Sequence, residues 1–260
     1  MNFEKALVAF EQFLQEYNTN DEKIKLKIIH THGVVEASTA IAKELNLNDE
    51  DSYLVKMIAL LHDIGRFEQA KRFNSFVDKE TIDHAEFGAD ILFKDGKIRE
   101  FIETDKYDDL IENAIRIHNK YEIPQGLSEH IEFHCKIIRD ADKLDIFRVM
   151  STDRLNAFAN INEEVMKQES ITDEVYNDFL THKPILNSKR KTHMDLWVSC
   201  LAFIFDYNFT ASLKIVQAKN YLNILIDRVP SQNPKTQSRM EEIRKTDHEY
   251  IDSVMEKSVG

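Results

Sequence analysis

The segment from Tyr53 to His62 reads YLVKMIALLH and is apolar almost all the way round a helix, with Lys56 its single charged residue before the histidine. A helix without a polar face has to lie among other helices, at the centre of the fold. This one runs directly into Asp63 and then Ile64-Gly65. An ionised carboxylate that leaves water without a partner costs several kcal/mol or more. Asp63 therefore needs a cation: either an ion pair at the helix end, with Arg66 in reach, or a metal. The dipeptide alone leaves both readings open.

The rest of the chain follows the same helical period. Phe3, Leu7, Phe10 and Leu14 share one face of a first helix. A second helix is expected over about 21–45, and a third from an Asn48 N-cap, with Asp51 placed to complete a capping box, to about His62. Further helices are expected at about 84–94, 108–119, 129–148, 173–181, 192–206, 210–217, 219–228 and 236–257, with breaks at Pro124-Gln125-Gly126 and Val229-Pro230. Only 6 Gly and 4 Pro in 260 residues leave few turn signals for short strands, and no strand-period segment stands out, so the expected class is all-α. A soft boundary falls near residue 150, because the candidate site residues concentrate before it.

A formal net charge of −12 argues against broad nucleic-acid binding and against an anionic membrane surface, yet a buried metal can still reverse the potential locally for a small phosphorylated molecule. The N-terminal stretch mixes acidic and apolar residues, unlike a signal peptide, and no run of about 18 apolar residues exists. Cys135 and Cys200 form no CxxC and sit in apolar helical stretches, which suits buried free thiols and a cytoplasmic location.

Helix faces supply the other candidates. His118 follows Ile111, Ala114 and Ile115 on an inward stripe, and His84, Gly88 and Ile91 share another, where Gly88 would admit a second backbone. Between 129 and 148 the apolar face of Ile131, Cys135, Ile138 and Val149 has Asp142 near its middle and Asp145 within it, with Asp140 on the opposite side and Lys143 projecting off it. Imidazole together with carboxylate suits Mn, Fe, Co, Ni or Zn better than Ca or Mg alone. His30 and His32, two apart on one helix, face different directions, and periodicity does not choose between them.

The segments IHTHGVVEAS, ALLHDIGRFE, HAEFGADIL, AIRIHNKY and RDADKLD together resemble the HD-domain superfamily of metal-dependent phosphohydrolases, over roughly residues 20–150. The resemblance implies an HD-like helical bundle with additional C-terminal helices. It implies a metal-binding catalytic core in residues 1–150 and a helical extension packing on it in 151–260, or one continuous domain. It implies one metal on His32, His62, Asp63 and Asp142, so it selects His32 over His30. Relatives with two metals imply a second ion on His84, His118 and a bridging Asp63; Mg is a further candidate for the ions. The chain departs from the cyclic-di-GMP phosphodiesterases, since Asn119 follows His118 and YEIPQG lacks a Gly-Tyr-Pro. It departs from the mononuclear 5′-deoxynucleotidases, which carry a glutamate where Arg66 stands.

The activity implied is hydrolysis of a phosphoester in a nucleotide or similar small molecule by a metal-activated water, with Asp63, Arg66 and His118 nearest the chemistry. Arg66 would fork onto a phosphate or pair with Asp63. Asp145 would orient a ligand histidine. HD-fold di-iron oxygenases share the same ligand order and form the alternative, as does a catalytically silent ligand-binding module. His130 and His134 have the i, i+4 spacing of a metal-binding pair but no H-E-x-x-H context, and the resemblance gives them no role. The stretch LWVSCLAFIFDYNF around Trp197 reads as core or a dimer face, and the side of the last helix carrying Met240, Ile243, Tyr250, Ile251 and Val254 as packing or a homo-oligomer contact.

Overall fold

The computed structural model describes residues 2–152 and 162–259, and these form helices and turns without a strand. The first eight helices are α1 (Phe3–Leu14), α2 (Glu22–Glu44), α3 (Asp49–Leu61), α4 (Ile64–Phe73), α5 (His84–Ala89), α6 (Ile98–Phe101), α7 (Asp108–Ile117) and α8 (Glu129–Thr152). Asn2, Asp21 and Asn48 begin the first three, each accepting N–H groups of the first turn on its side chain. From Tyr53 to Leu61, every residue of α3 except Lys56 is buried. It packs against α1, α2 and α7, as a helix without a polar face must.

α4 is an element that hydrophobic periodicity did not pick out. Its sequence, IGRFEQAKRF, is mostly polar. What holds it is Phe67, fully buried, with ring centroids 5.7–6.0 Å from Tyr17, Phe10 and Phe13. The expected helix at 84–94 is α5 followed by one wider π turn over Asp90–Lys94, which keeps Ile91 and Leu92 inside. The capping box at the start of α3 is only half formed. Asn48 Oδ1 accepts the Asp51 N–H at 2.8 Å, but the Asp51 carboxylate takes the Asn48 side-chain amide, and turns its other oxygen to His130 and His134.

The chain divides into two compact units, Met1–Asp145 and Ile146–Gly260. The second is built from helices Glu163–Gln168, Asp173–Phe179, His193–Leu201, Thr210–Ala218, Tyr221–Arg228 and Pro234–Val259. Trp197 is fully buried in it and donates its Nε1–H to the Leu225 carbonyl at 3.1 Å, so the aromatic stretch around it is core. Cys135 and Cys200 are buried free thiols, and burial pushes Cys135 up to about 12.

On the last helix Asp247 lies four residues from both Ile243 and Ile251, in the middle of the apolar face. It is fully buried, and among the described residues no donor meets either carboxylate oxygen. Burial raises its carboxyl well above the usual value. The unfolded chain therefore ionises this group first, and stability is lost as pH climbs from the ordinary carboxylate range towards the folded value. We expect Asp247→Leu to raise the thermal midpoint at pH 7.5 by about 2–4 °C or more, and by less at pH 4.5. Equal gains at the two pH values in melting curves would contradict this reading.

Candidate metal centre

Six side chains, from five helices and the junction between two helices, meet in the first unit. His30 comes from the middle of α2, His62 from the last turn of α3, and Asp63 from the junction between α3 and α4. His84 opens α5, His118 closes α7, and Asp142 stands in the middle of α8. The junction is one residue long: His62 keeps helical angles, whereas Asp63 takes φ −104° and ψ 16° and turns its carboxylate inward. α4 can lie against α5 because glycines meet there. A Cβ on Gly65 would sit 2.3 Å from the His84 carbonyl oxygen and 2.7 Å from the Gly88 nitrogen. That close approach brings His84 up to Asp63.

The two oxygens of Asp63 face different partners. Oδ2 lies 3.8 Å from Nε2 of both His30 and His62, and Oδ1 lies 3.3 Å from Nε2 of His84 and 3.9 Å from that of His118. Asp142 Oδ1 completes the first group, 3.0 Å from His30 Nε2 and 3.9 Å from His62 Nε2. All four histidines are held through Nδ1. His62 and His118 donate Nδ1–H to the carbonyls of Ala59 and Ile115, each at 2.7 Å. His30 and His84 do so to Asp145 at 2.7 Å and Asp78 at 2.6 Å. With Nδ1 carrying the proton, a neutral imidazole presents a bare lone pair on Nε2. His62 Nε2 is buried with no hydrogen-bond partner, and the His84 and His118 Nε2 atoms stand 3.1 Å apart. Converging lone pairs of this kind, beside ionised carboxylates, fit one or two divalent cations.

The electrostatics agree with that fit. Burial would raise the Asp63 carboxyl, but Lys27, His62, His84 and Arg66 hold it well below the usual range. Burial also opposes ionisation of Asp142, and the hydrogen bond from His30 with the neighbouring His62 and His118 outweighs it. His62 is pushed down, mainly by burial, and His118 falls to about 3 through burial and the adjacent His84 and His62. Both are therefore neutral, as ligands must be. For His30, burial and Lys27 push downwards, and the hydrogen bonds to Asp142 and Asp145 more than compensate, so it rises to about 9.

Of the first two histidines, the structure brings His30 and not His32 to the cluster. His32, which the resemblance implied, is about 200° further round α2 than His30. It packs edge-on to Phe10 at 6.0 Å, away from the cluster. Arg66 is also placed differently from a free phosphate fork. Its Nη1 donates to Gln69, to the Phe76 carbonyl and to Asp78 at 2.6–2.9 Å, and its Nε lies 3.6 Å from Asp63 Oδ1. It ties Asp63 to Asp78, the residue that anchors His84. Lys143 was expected to project off the apolar face and Asp140 to lie opposite it. Both are buried, because α8 is enclosed nearly all round from His134 to Asp145.

Two residues of the site had escaped sequence reasoning. Lys27 Nζ is 2.8 Å from Asp63 Oδ2. Its signal was its position one turn before His30, on the same face. Asp78 lies between α4 and α5, where no periodicity could mark it.

His30→Ala should weaken divalent-ion binding by at least about tenfold, whereas His32→Ala should leave it intact. An ion bound at His30 Nε2 must displace the proton shared with Asp142, while the Nδ1 proton donated to Asp145 stays in place. Affinity should therefore rise with pH, by up to about tenfold per unit, below about 9, and level off above it. Competition against a chromophoric chelator at several pH values measures both effects, and a flat pH profile or a weakened His32→Ala variant would refute the assignment.

Among the described residues no helix is long and apolar enough to cross a membrane. No curated protein and no solved structure matches the chain. Residues 28–146 match the HD-domain family, whose members bind divalent metals and are mostly metal-dependent hydrolases. That span contains all six clustered side chains, and with the all-helical fold around them this part of the chain is similar to an HD domain.

Proposed function

We propose that the protein is a cytoplasmic metal-dependent phosphohydrolase that cleaves a phosphoester in a nucleotide or a similar small phosphorylated molecule. Residues 1–150 form the catalytic core on this reading, and the helices after them are an extension. The observation that carries it is the pair of oxygens on buried Asp63, each turned to histidine Nε2 atoms whose Nδ1 is already engaged. His30, His62, Asp63 and Asp142 would hold one cation; His84, His118 and the far oxygen of Asp63 would hold another. Cations so placed supply a water that ionises near neutral pH and positive charge for the phosphoryl oxygens.

The chain's own residues set the conditions for that chemistry. Asp63, Asp78, Asp142 and Asp145 outnumber Lys27, Arg66 and the protonated His30, so the bare pocket repels phosphate, and divalent cations reverse its sign. The Asp142 side chain is 22% exposed, the most open of the six, which puts the solvent approach on the α8 side. Lys27, 18% exposed and bound to Asp63, is the cation at the pocket's edge that can meet an incoming phosphoryl oxygen. Asp145, Asp78 and, through Asp78, Arg66 act as positioning residues that fix the histidine rings.

The test is a panel of nucleoside mono-, di- and triphosphates, cyclic nucleotides and simple phosphomonoesters, assayed for phosphate release with Mn2+, Co2+, Zn2+ and Mg2+. We expect turnover with at least one cation, its loss in Asp63→Ala, and a fall of about 10–100-fold in Asp78→Ala. Protein purified without added metal that carries two irons and consumes dioxygen, with no phosphate release from any substrate, would overturn this reading in favour of an oxygenase. Activity that survives Asp63→Ala would also overturn it.

A further inference from the structure

A second cluster of metal-ligating side chains lies at the opposite end of α3. The carboxylate of Asp51, freed from the capping box, points Oδ1 at two imidazoles from the first turns of α8. His130 Nε2 is 2.7 Å away and His134 Nε2 is 3.0 Å away, with the two nitrogens 3.3 Å from each other. His134 is completely buried, whereas the His130 side chain is 52% exposed and opens the cluster to solvent. The other Asp51 oxygen is already bound to the Asn48 amide at 2.8 Å, which fixes the carboxylate plane. Asp51 is the third N-terminal residue of α3, and the two histidines are one helical turn apart on α8. Three protein donors on two rigid helices therefore converge on one point.

Protons alone serve this arrangement poorly. If both Nε2 atoms carry a proton to share Oδ1, two N–H groups confront each other at 3.3 Å. If one is bare, its lone pair faces the carboxylate oxygen. A single cation between the three satisfies every lone pair at once. Donor separations of 2.7–3.3 Å are those of ligands about 2.0–2.1 Å from one ion, at angles of roughly 80–110°. Histidines at i and i+4 on one helix form the chelating pair, and the carboxylate completes a set of three that leaves a position for water. Two imidazoles select a borderline ion over Mg2+ or Ca2+.

We propose that Asp51, His130 and His134 form a separate binding site for Zn2+ or a similar divalent transition ion. His62 follows Asp51 by eleven positions of helix and Asp142 follows His134 by eight, which places the site about 12–16 Å from the main centre. An ion there pins the start of α3 to the start of α8. These helices carry His62 and Asp142 further along, so the ion steadies the frame of the main centre without touching it. The inference is independent of which reaction that centre performs.

The full-length protein, stripped of metal, would be titrated with Zn2+ and Co2+ and its bound ions counted. We expect His130→Ala, at an exposed position where folding is not at risk, to lose one ion per chain or to bind it about 100-fold more weakly. Asp51→Asn should do the same, and Co2+ should lose the corresponding visible band. In the Asp63→Ala background the same ion should still bind, and His130→Ala should then remove it. Unchanged ion count and affinity in both His130→Ala and Asp51→Asn would overturn the proposal, as would failure of the Asp63→Ala protein, folded by circular dichroism, to bind micromolar Zn2+.

Discussion

A single buried carboxylate organises the first unit. Asp63 sits where a helix buried over its last turns stops, and its charge would cost several kcal/mol if nothing answered it. Lys27 answers one oxygen directly, and the two histidine groups stand around both. Much of the surrounding architecture serves that placement. α3 has no polar face because it carries the carboxylate to the centre. α4 leaves at once because Asp63 adopts non-helical angles, and Gly65 and Gly88 let the α5 backbone come close enough for His84 to reach it. A side chain at Gly65 would collide with backbone, which cannot rotate away, so the cost would fall on the site's geometry as well as on stability.

The histidines are oriented in two ways, and the difference is physical. His62 and His118 each stand at the end of a helix and donate Nδ1–H to a carbonyl three residues back, a group left over by the end of the helical hydrogen-bond ladder. Their orientation is local and comes with the helix terminus. His30 and His84 rely on carboxylates, Asp145 and Asp78, from other segments. Those contacts form only when the fold is complete, and they raise the basicity of the imidazole they hold. The same contacts that ready His30 as a strong ligand also make it hold a proton in competition with a metal.

This division sets what could be read from the sequence. His62, Asp63, His118 and Asp142 were legible because each interrupts a strong apolar pattern on its own helix, and the structure brings all four together. His30 was not, because it and His32 both border the apolar arc of α2, and only the packing of Phe10 against His32 shows which of them faces out of the cluster. Asp78 lies in a connecting segment with no period, and Lys27 looks like any exposed helix lysine until its partner is known. Asp51 was read correctly as a first-turn residue, but its use as a partner for His130 and His134 depends on a helix about eighty residues away. The all-helical class, by contrast, rests on chain-wide periodicity and so needed no tertiary information.

Asp142 and Asp247 show where single-helix patterns stop being informative. Each is an aspartate within an apolar face, and each poses the same energetic problem. Around Asp142 other helices deliver imidazoles, and the carboxyl is held low. Around Asp247, among the described residues, nothing delivers a donor, and the carboxyl is held high, towards its neutral form. The fold thus resolves one buried charge by convergence and the other by protonation. Only the first outcome creates a site, because an ionised, partnered carboxylate attracts cations and a neutral one does not. The chemistry of this chain is therefore decided by what α2, α3, α5 and α7 bring to Asp63 and Asp142, a property of the packing that neither aspartate carries alone.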